Sequence, residues 1–264
     1  MPLKLDVVAL GAPEVSAARR FYTTAFASAA TDAGHSVHLD LHGTGQLALS
    51  ATEDLAEAAG ADAATSGFRG YVLTCTVGRP TEVRTLMETA DRNGAEVLKP
   101  AKKALFGSFS GAFRAPDGAV WKVASATAKD TGPPAATPRP SETTVILGVA
   151  APKASRTFYE SLGMTVDRDY GNKYIDFRPA PGAVRLCMME RGVLARDAGT
   201  AKDGDGFSAM VFTHLAGSRD EVDAILAAAA AGGGRITTPA ARTPRDGYCG
   251  HFTDPDGFWW KVMH

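Results

Sequence analysis

The sequence predicts an α+β fold of four βαβββ modules. Three observations carry this: a repeat spanning nearly the whole chain, a strand–helix–strand order recurring twice in each copy, and a proline-rich stretch between the copies. The repeat is plainest where FRAPDGAVWKV, Phe113 to Val123, returns as FTDPDGFWWKV, Phe252 to Val262. The offset that puts Gly118 on Gly257 also puts Val83 on Val222, Leu86 on Ile225, Gly94 on Gly233, Pro100 on Pro239 and Gly111 on Gly250. Upstream, RRFYTTAF from Arg19 aligns with RTFYESLG from Arg156. Between the copies, TAKDTGPPAATPRPSE has the composition of an extended linker. Domains are therefore expected at 1–126 and 143–264, joined by a linker at 127–142.

Within the first copy, LDVVALG reads as a strand, and PEVSAARRFYTTAF puts Val15, Ala18, Phe21 and Ala25 on one helical face. SVHLDLHGTGQLALSA alternates as two strands around a Gly-rich turn. GYVLTCTV is a further strand, and PTEVRTLMETADRNG is a helix ending at a plausible Asn93-Gly94 cap. The copy closes as a hairpin with Pro116 and Gly118 in a type I turn.

Composition narrows the function classes. Of 264 residues, 45% are apolar and 22% charged, with a formal net charge of -1, so no basic surface for nucleic acid is expected. No apolar run approaches the roughly 18 residues of a membrane span. MPLKLDVVALGAPEV reads as a strand and a turn and not as a signal peptide, which sets cytoplasmic residence as the expectation. The three cysteines, Cys75, Cys187 and Cys249, are too widely spaced for a disulfide framework or a zinc knuckle.

The paired Phe21-Tyr22 and Phe158-Tyr159, the G-x-F-x-x-PDG hairpins at Gly111 to Gly118 and Gly250 to Gly257, and the helix-ending phrases NGAEVLKP and GGGRITTP carry a resemblance. In this order they resemble the vicinal oxygen chelate superfamily, which contains glyoxalases, extradiol dioxygenases and bleomycin-resistance proteins. The resemblance implies two tandem glyoxalase/bleomycin-resistance-like domains, with curved mixed sheets around a cavity and helices outside. It also implies, in metal-dependent members, a His near the start of a module's first strand and a Glu after the PDG turn.

Here the glutamate position holds Lys122 in one copy and Lys261 in the other, and a protonated ammonium has no lone pair for a metal. The first-strand positions fall near Val7 and Thr144, and those of the second modules near Val72 and Met210. No family-type metal site is expected and no cofactor is required, a divalent metal being the alternative. Strand alternation places His38 and Asp40 toward the cavity of the first copy, and Tyr174, Asp176 and Arg178 toward that of the second. If the register follows the family's, Met210, Phe212 and His214 also point inward, with Trp259 and Lys261 beside them.

This set suits a small, aromatic or amphipathic organic ligand with an anionic or carbonyl group, and the second copy looks the richer. The leading expectation is therefore a metal-independent small-molecule binding protein, a monomer or a homodimer, that sequesters its ligand. Two alternatives stand beside it: a glyoxalase- or dioxygenase-type enzyme using a divalent metal, and a metal-free lyase or isomerase using Lys261, His214 or Tyr174. For Lys122 and Lys261 an ion pair with Asp40 or Asp176 is the competing structural role.

Overall fold

A computed structural model describes residues 2–103, 109–130, 137–244 and 246–264. Part of the expected linker, 131–136, lies outside the described residues. The first copy runs β1 (Val7–Ala12), α1 (Val15–Ala25), β2 (Ala30–Ala33), β3 (Ser36–Asp40), β4 (Gln46–Ala51), α2 (Thr52–Ala59), β5 (Thr65–Gly67), β6 (Tyr71–Val77), α3 (Pro80–Arg92), β7 (Glu96–Lys103), β8 (Phe109–Arg114) and β9 (Val120–Ser125). The second runs β10 (Glu142–Val149), α4 (Pro152–Ser161), β11 (Val166–Asp169), β12 (Ile175–Phe177), β13 (Arg185–Glu190), α5 (Arg191–Ala198), β14 (Gly204–Gly206), β15 (Met210–Leu215), α6 (Arg219–Ala231), β16 (Arg235–Thr243), β17 (Gly247–Thr253) and β18 (Trp259–Met263).

Local chemistry sets the helix starts. Pro80 opens α3 at a position whose N–H needs no partner. Ser218 caps α6 by accepting from Glu221 N, while the Glu221 carboxylate accepts from Gly217 N at 2.8 Å.

The strands form two eight-stranded mixed sheets that do not follow the repeat boundary. One has the order β16-β17-β18-β15-β1-β4-β3-β2, and the other β11-β12-β13-β10-β6-β9-β8-β7. Each is half from one copy and half from the other, joined at an antiparallel seam, β1 with β15 and β10 with β6. Within a copy the two half-sheets are bridged by helices: α1 packs on β3 and β4, α3 on β8 and β9, and α1 meets α3. The repeat thus keeps the core local while the sheets cross between copies.

The repeated FY and PDG phrases are what tie each copy together. Tyr22 OH donates to the buried Asp117 carboxylate at 2.8 Å and accepts from Trp121 Nε1 at 3.1 Å. Tyr159 OH donates likewise to Asp254 at 2.7 Å and accepts from Trp260 Nε1 at 3.3 Å. The carboxylate has moved two residues along the turn, from the PDG aspartate in the first copy to the residue before the proline in the second. Burial raises both tyrosines well above their ordinary pKa, and it lifts Asp254 to about 7.

Two helices depart from the expected unit, α2 and α5. They follow β4 and β13 and lie on the concave faces, α2 against β1, β4 and β15, and α5 against β10, β13, β6 and β9. Close approach is possible because the crossing strand residue is glycine: a Cβ on Gly11 would sit 3.1 Å from Thr52 Cα, and one on Gly148 3.1 Å from Arg191 Cα. No described helix is long and apolar enough to cross a membrane.

Candidate functional site

On the concave face of the β1/β15 sheet lies a cavity of about 440 Å³. Its floor is the seam itself, Val7 and Ala9 from β1 with Val211 and Thr213 from β15, extended by Ala48 and Ser50 of β4. Leu55 and Ala58 of α2 wall one side, and His38 and Ser36 of β3 close the far end. The cavity is therefore assembled from the first module of one copy and the last module of the other.

Its polar end is a row across the sheet. Val7 pairs with Thr213, Thr213 with Lys261, and Lys261 with His251, so alternation puts all four side chains on the cavity face. Lys261 Nζ is 2.7 Å from Asp246 Oδ1. His251 is buried and makes no side-chain hydrogen bond to a described residue, and its Nδ1 has no partner. Burial, and then the Lys261 charge, push its pKa down to about 4, with Asp246 opposing, so the imidazole is neutral at ordinary pH.

The equivalent face of the β6/β10 sheet is filled. Where the first floor has Ala9, Ala48, Ser50 and Ser36, the register places Ile146, Cys187, Met189 and Tyr174. Ile146 and Cys187 pack with Leu194, Ala195 and Ala198 of α5, and Tyr174 and Met189 lie against them. Lys122 is 2.6 Å from Asp197 of α5.

Of the candidate residues, His38 and Lys261 line opposite ends of the same open cavity although they come from different copies. Trp259 packs beside its floor with Ala9, Ala48 and Val211, edge-on to Phe207. Met210, Phe212 and His214 are corrected: they face the helix layer, where Phe212 packs on Trp260 at 4.9 Å. Both faces of β15 carry apolar residues, so alternation alone did not fix which set turned inward. His214 is instead held between Lys4 N, which donates to its Nδ1 at 3.1 Å, and the carboxylates of Asp6 and Glu221.

Tyr174 and Asp176 do face a concave side, but it is the closed one. Tyr174 OH lies 2.9 Å from Cys187 Sγ, and Asp176 is buried against Arg168, 3.1 Å away, and Arg185. Arg178 is exposed and reaches Asp167 at 3.8 Å. Asp40 is exposed at the end of β3, where it accepts from Gly43 N in the turn. Lys122 and Lys261 pair with neither Asp40 nor Asp176, because Asp197 and Asp246 lie nearer on elements the sequence did not place over the sheets. Lys261, His214 and Tyr174 lie on three different faces.

Sequence reasoning missed Asp246, Thr213 and α2, and it takes His251 for a satisfied or semi-exposed histidine where the structure has it buried with Nδ1 unpartnered. The signals for α2 were present in the acidic first turn, Glu53 and Asp54, and the left-handed cap at Gly60.

A divalent metal does not fit the donors here. The row that faces the cavity offers Val7, Thr213, Lys261 and His251, and its counterpart offers Thr144, Thr74, Lys122 and Ala112. Among the described residues no cluster of three or more His, Cys, Asp or Glu side chains is disposed to hold a metal ion.

Residues 143–262 match the model of the Glyoxalase/Bleomycin resistance protein/Dioxygenase superfamily. No curated protein matches the chain by sequence. Among solved structures, maize glyoxalase I superposes with a TM-score of 0.65 at 17% identity, covering 98% of this chain and 92% of that one. A Bacillus subtilis protein described as a candidate dioxygenase superposes with a TM-score of 0.61 at 13% identity, over 99% and 85%. Likeness at these identities is likeness of fold.

Proposed function

We propose that this chain, of which residues 143–262 match the glyoxalase/bleomycin resistance/dioxygenase superfamily model, binds a small, partly apolar organic molecule in the β1/β15 cavity without a metal ion and holds it by sequestration. The observation that carries this reading is a cavity of about 440 Å³ whose floor has Val7 at the expected first-strand position and Lys261 at the expected glutamate position, with Thr213 between them and His251 beyond. Space of that size suits a small organic ligand. Its walls are mostly apolar, with polar groups at Lys261, Asp246, His251 and Thr213 toward one end, at His38 and Ser36 toward the other, and His35 and Asp54 also on the lining.

The rival reading, glyoxalase- or dioxygenase-type chemistry on a divalent metal, rests on the fold shared with maize glyoxalase I. Elemental analysis of protein purified without chelator separates the two. Metal far below one equivalent, together with a copurifying organic molecule in native mass spectrometry, supports binding without metal. Zinc, iron, manganese or nickel retained at one equivalent through dialysis overturns it.

A further inference from the structure

Among the described residues, the charges at the polar end of the cavity are balanced before any ligand arrives, and the further carboxylate that lines the cavity, Asp54, sits on α2. Lys261 and Asp246 pair at 2.7 Å, so one positive and one negative group cancel. His251 beside them is neutral, because burial and the Lys261 charge hold its pKa near 4. Its ring makes no side-chain hydrogen bond among the described residues, and its buried Nδ1 has no partner, although the ring lines the cavity. An imidazole left unsatisfied beside a cavity is the kind of group a ligand completes.

Charge decides which ligand. A bound anion would lose its hydration next to the Asp246 carboxylate, and a bound cation next to the Lys261 ammonium. An uncharged group bearing an acceptor and a donor on neighbouring atoms meets both residues without leaving a charge unpaired.

We propose that this end of the cavity selects an uncharged amide-type group attached to an apolar body. Its carbonyl oxygen accepts from Lys261, its N–H donates to Asp246, His251 supplies the third polar contact, and the body lies on Ala9, Ala48 and Val211. The inference rests on the cavity being the binding site, and its test separates the two statements.

The probes are 2-naphthamide and 2-naphthoate, which share one apolar body and differ in charge, titrated calorimetrically into the full chain. The wild type binds the amide at least about tenfold more tightly, the scale of one hydrogen bond to a charged group. Asp246→Asn, which leaves Lys261 unopposed, reverses the order in favour of the carboxylate. The triple variant Ala9→Ile, Ser36→Tyr, Ser50→Met, which installs the residues of the closed sheet, loses both probes while retaining a cooperative melting transition. A wild type that prefers naphthoate, or an order unchanged by Asp246→Asn, overturns the amide assignment and leaves the cavity as the site. Failure of both probes to bind the wild type, or binding that survives the triple variant, overturns the cavity reading and the inference with it.

Discussion

The two sheets are built alike on their convex sides and differently on their concave ones. Each convex side carries the same anchor, a tyrosine from the FY phrase bonded to a buried aspartate and to a tryptophan, at Tyr22–Asp117–Trp121 and Tyr159–Asp254–Trp260. On the concave side the floor holds Ala9, Ala48, Ser36 and Ser50 in one sheet, and Ile146, Cys187, Tyr174 and Met189 at the same registers in the other. Both sheets keep the lysine and tie it to a carboxylate, but from different places, the β16–β17 turn in one and α5 in the other. Side-chain size on the floor thus separates a cavity from a packed interface, while the lysine is common to both and decides neither.

Substitutions that trade these floors test the contrast, and the largest effect falls on the closed one. Ile146→Ala removes a buried side chain packed under α5 and should cost about 2–5 kcal/mol in urea denaturation. The reciprocal Ala9→Ile, which grows into open space, should stay within about 1.5 kcal/mol. Equal losses at the two positions would mean that the floors are packed alike.

Acid separates the sheets next, because only the open one places a histidine beside its lysine. His251 in the fold titrates near 4, below the 6.5 of a free histidine, so between these values the unfolded chain holds the proton and the native chain does not. Its contribution is present above about pH 6.5 and is lost as pH falls toward 4, by at most about 3 kcal/mol. Asp254 acts in the opposite sense, stabilising most at low pH and losing that contribution as pH rises through about 7. Because His251→Phe leaves Asp254 in place, the stability of the variant minus that of the wild type isolates the histidine. That difference should grow in favour of the variant from neutral pH to about pH 4, and a flat difference would show that the imidazole is not held neutral.

The smallest effect belongs to the shared lysines. Lys122 and Asp197 are both partly exposed, so Lys122→Met should change stability by only about 0.2–1 kcal/mol and leave probe binding untouched. Lys261→Met should change stability as little but weaken 2-naphthamide at least several-fold. Equal binding in the two variants would remove the functional distinction between the sheets.

Much of this was legible in the sequence. The duplication, the module order and the apolar faces of α1 and β3 follow from spacing alone, and the substitution of glutamate by lysine was visible at Lys122 and Lys261. The partnership between halves was not: a repeat reports similarity, and whether β1 pairs with β15 or with β6 depends on long-range geometry. That crossing moved the open cavity away from the second copy and brought His38 to the same chamber as Lys261. The face of β15 was also hidden, because Met210, Val211 and Phe212 are all apolar and alternation had no polar side to follow. The concave helices read as ordinary Ala-rich segments, and only in three dimensions do Leu55 and Asp197 reveal what each covers.

One sheet has an open concave face while that of its twin is closed, and two methionines report on the difference. Met263 lines the open cavity and Met189 lies in the closed face. In a ¹³C-methyl-methionine spectrum titrated with 2-naphthamide in the presence of EDTA, the Met263 signal should move and saturate at one equivalent while Met189 stays fixed. Movement of Met189, or a Met263 signal that shifts only after a divalent metal is restored, would contradict the account.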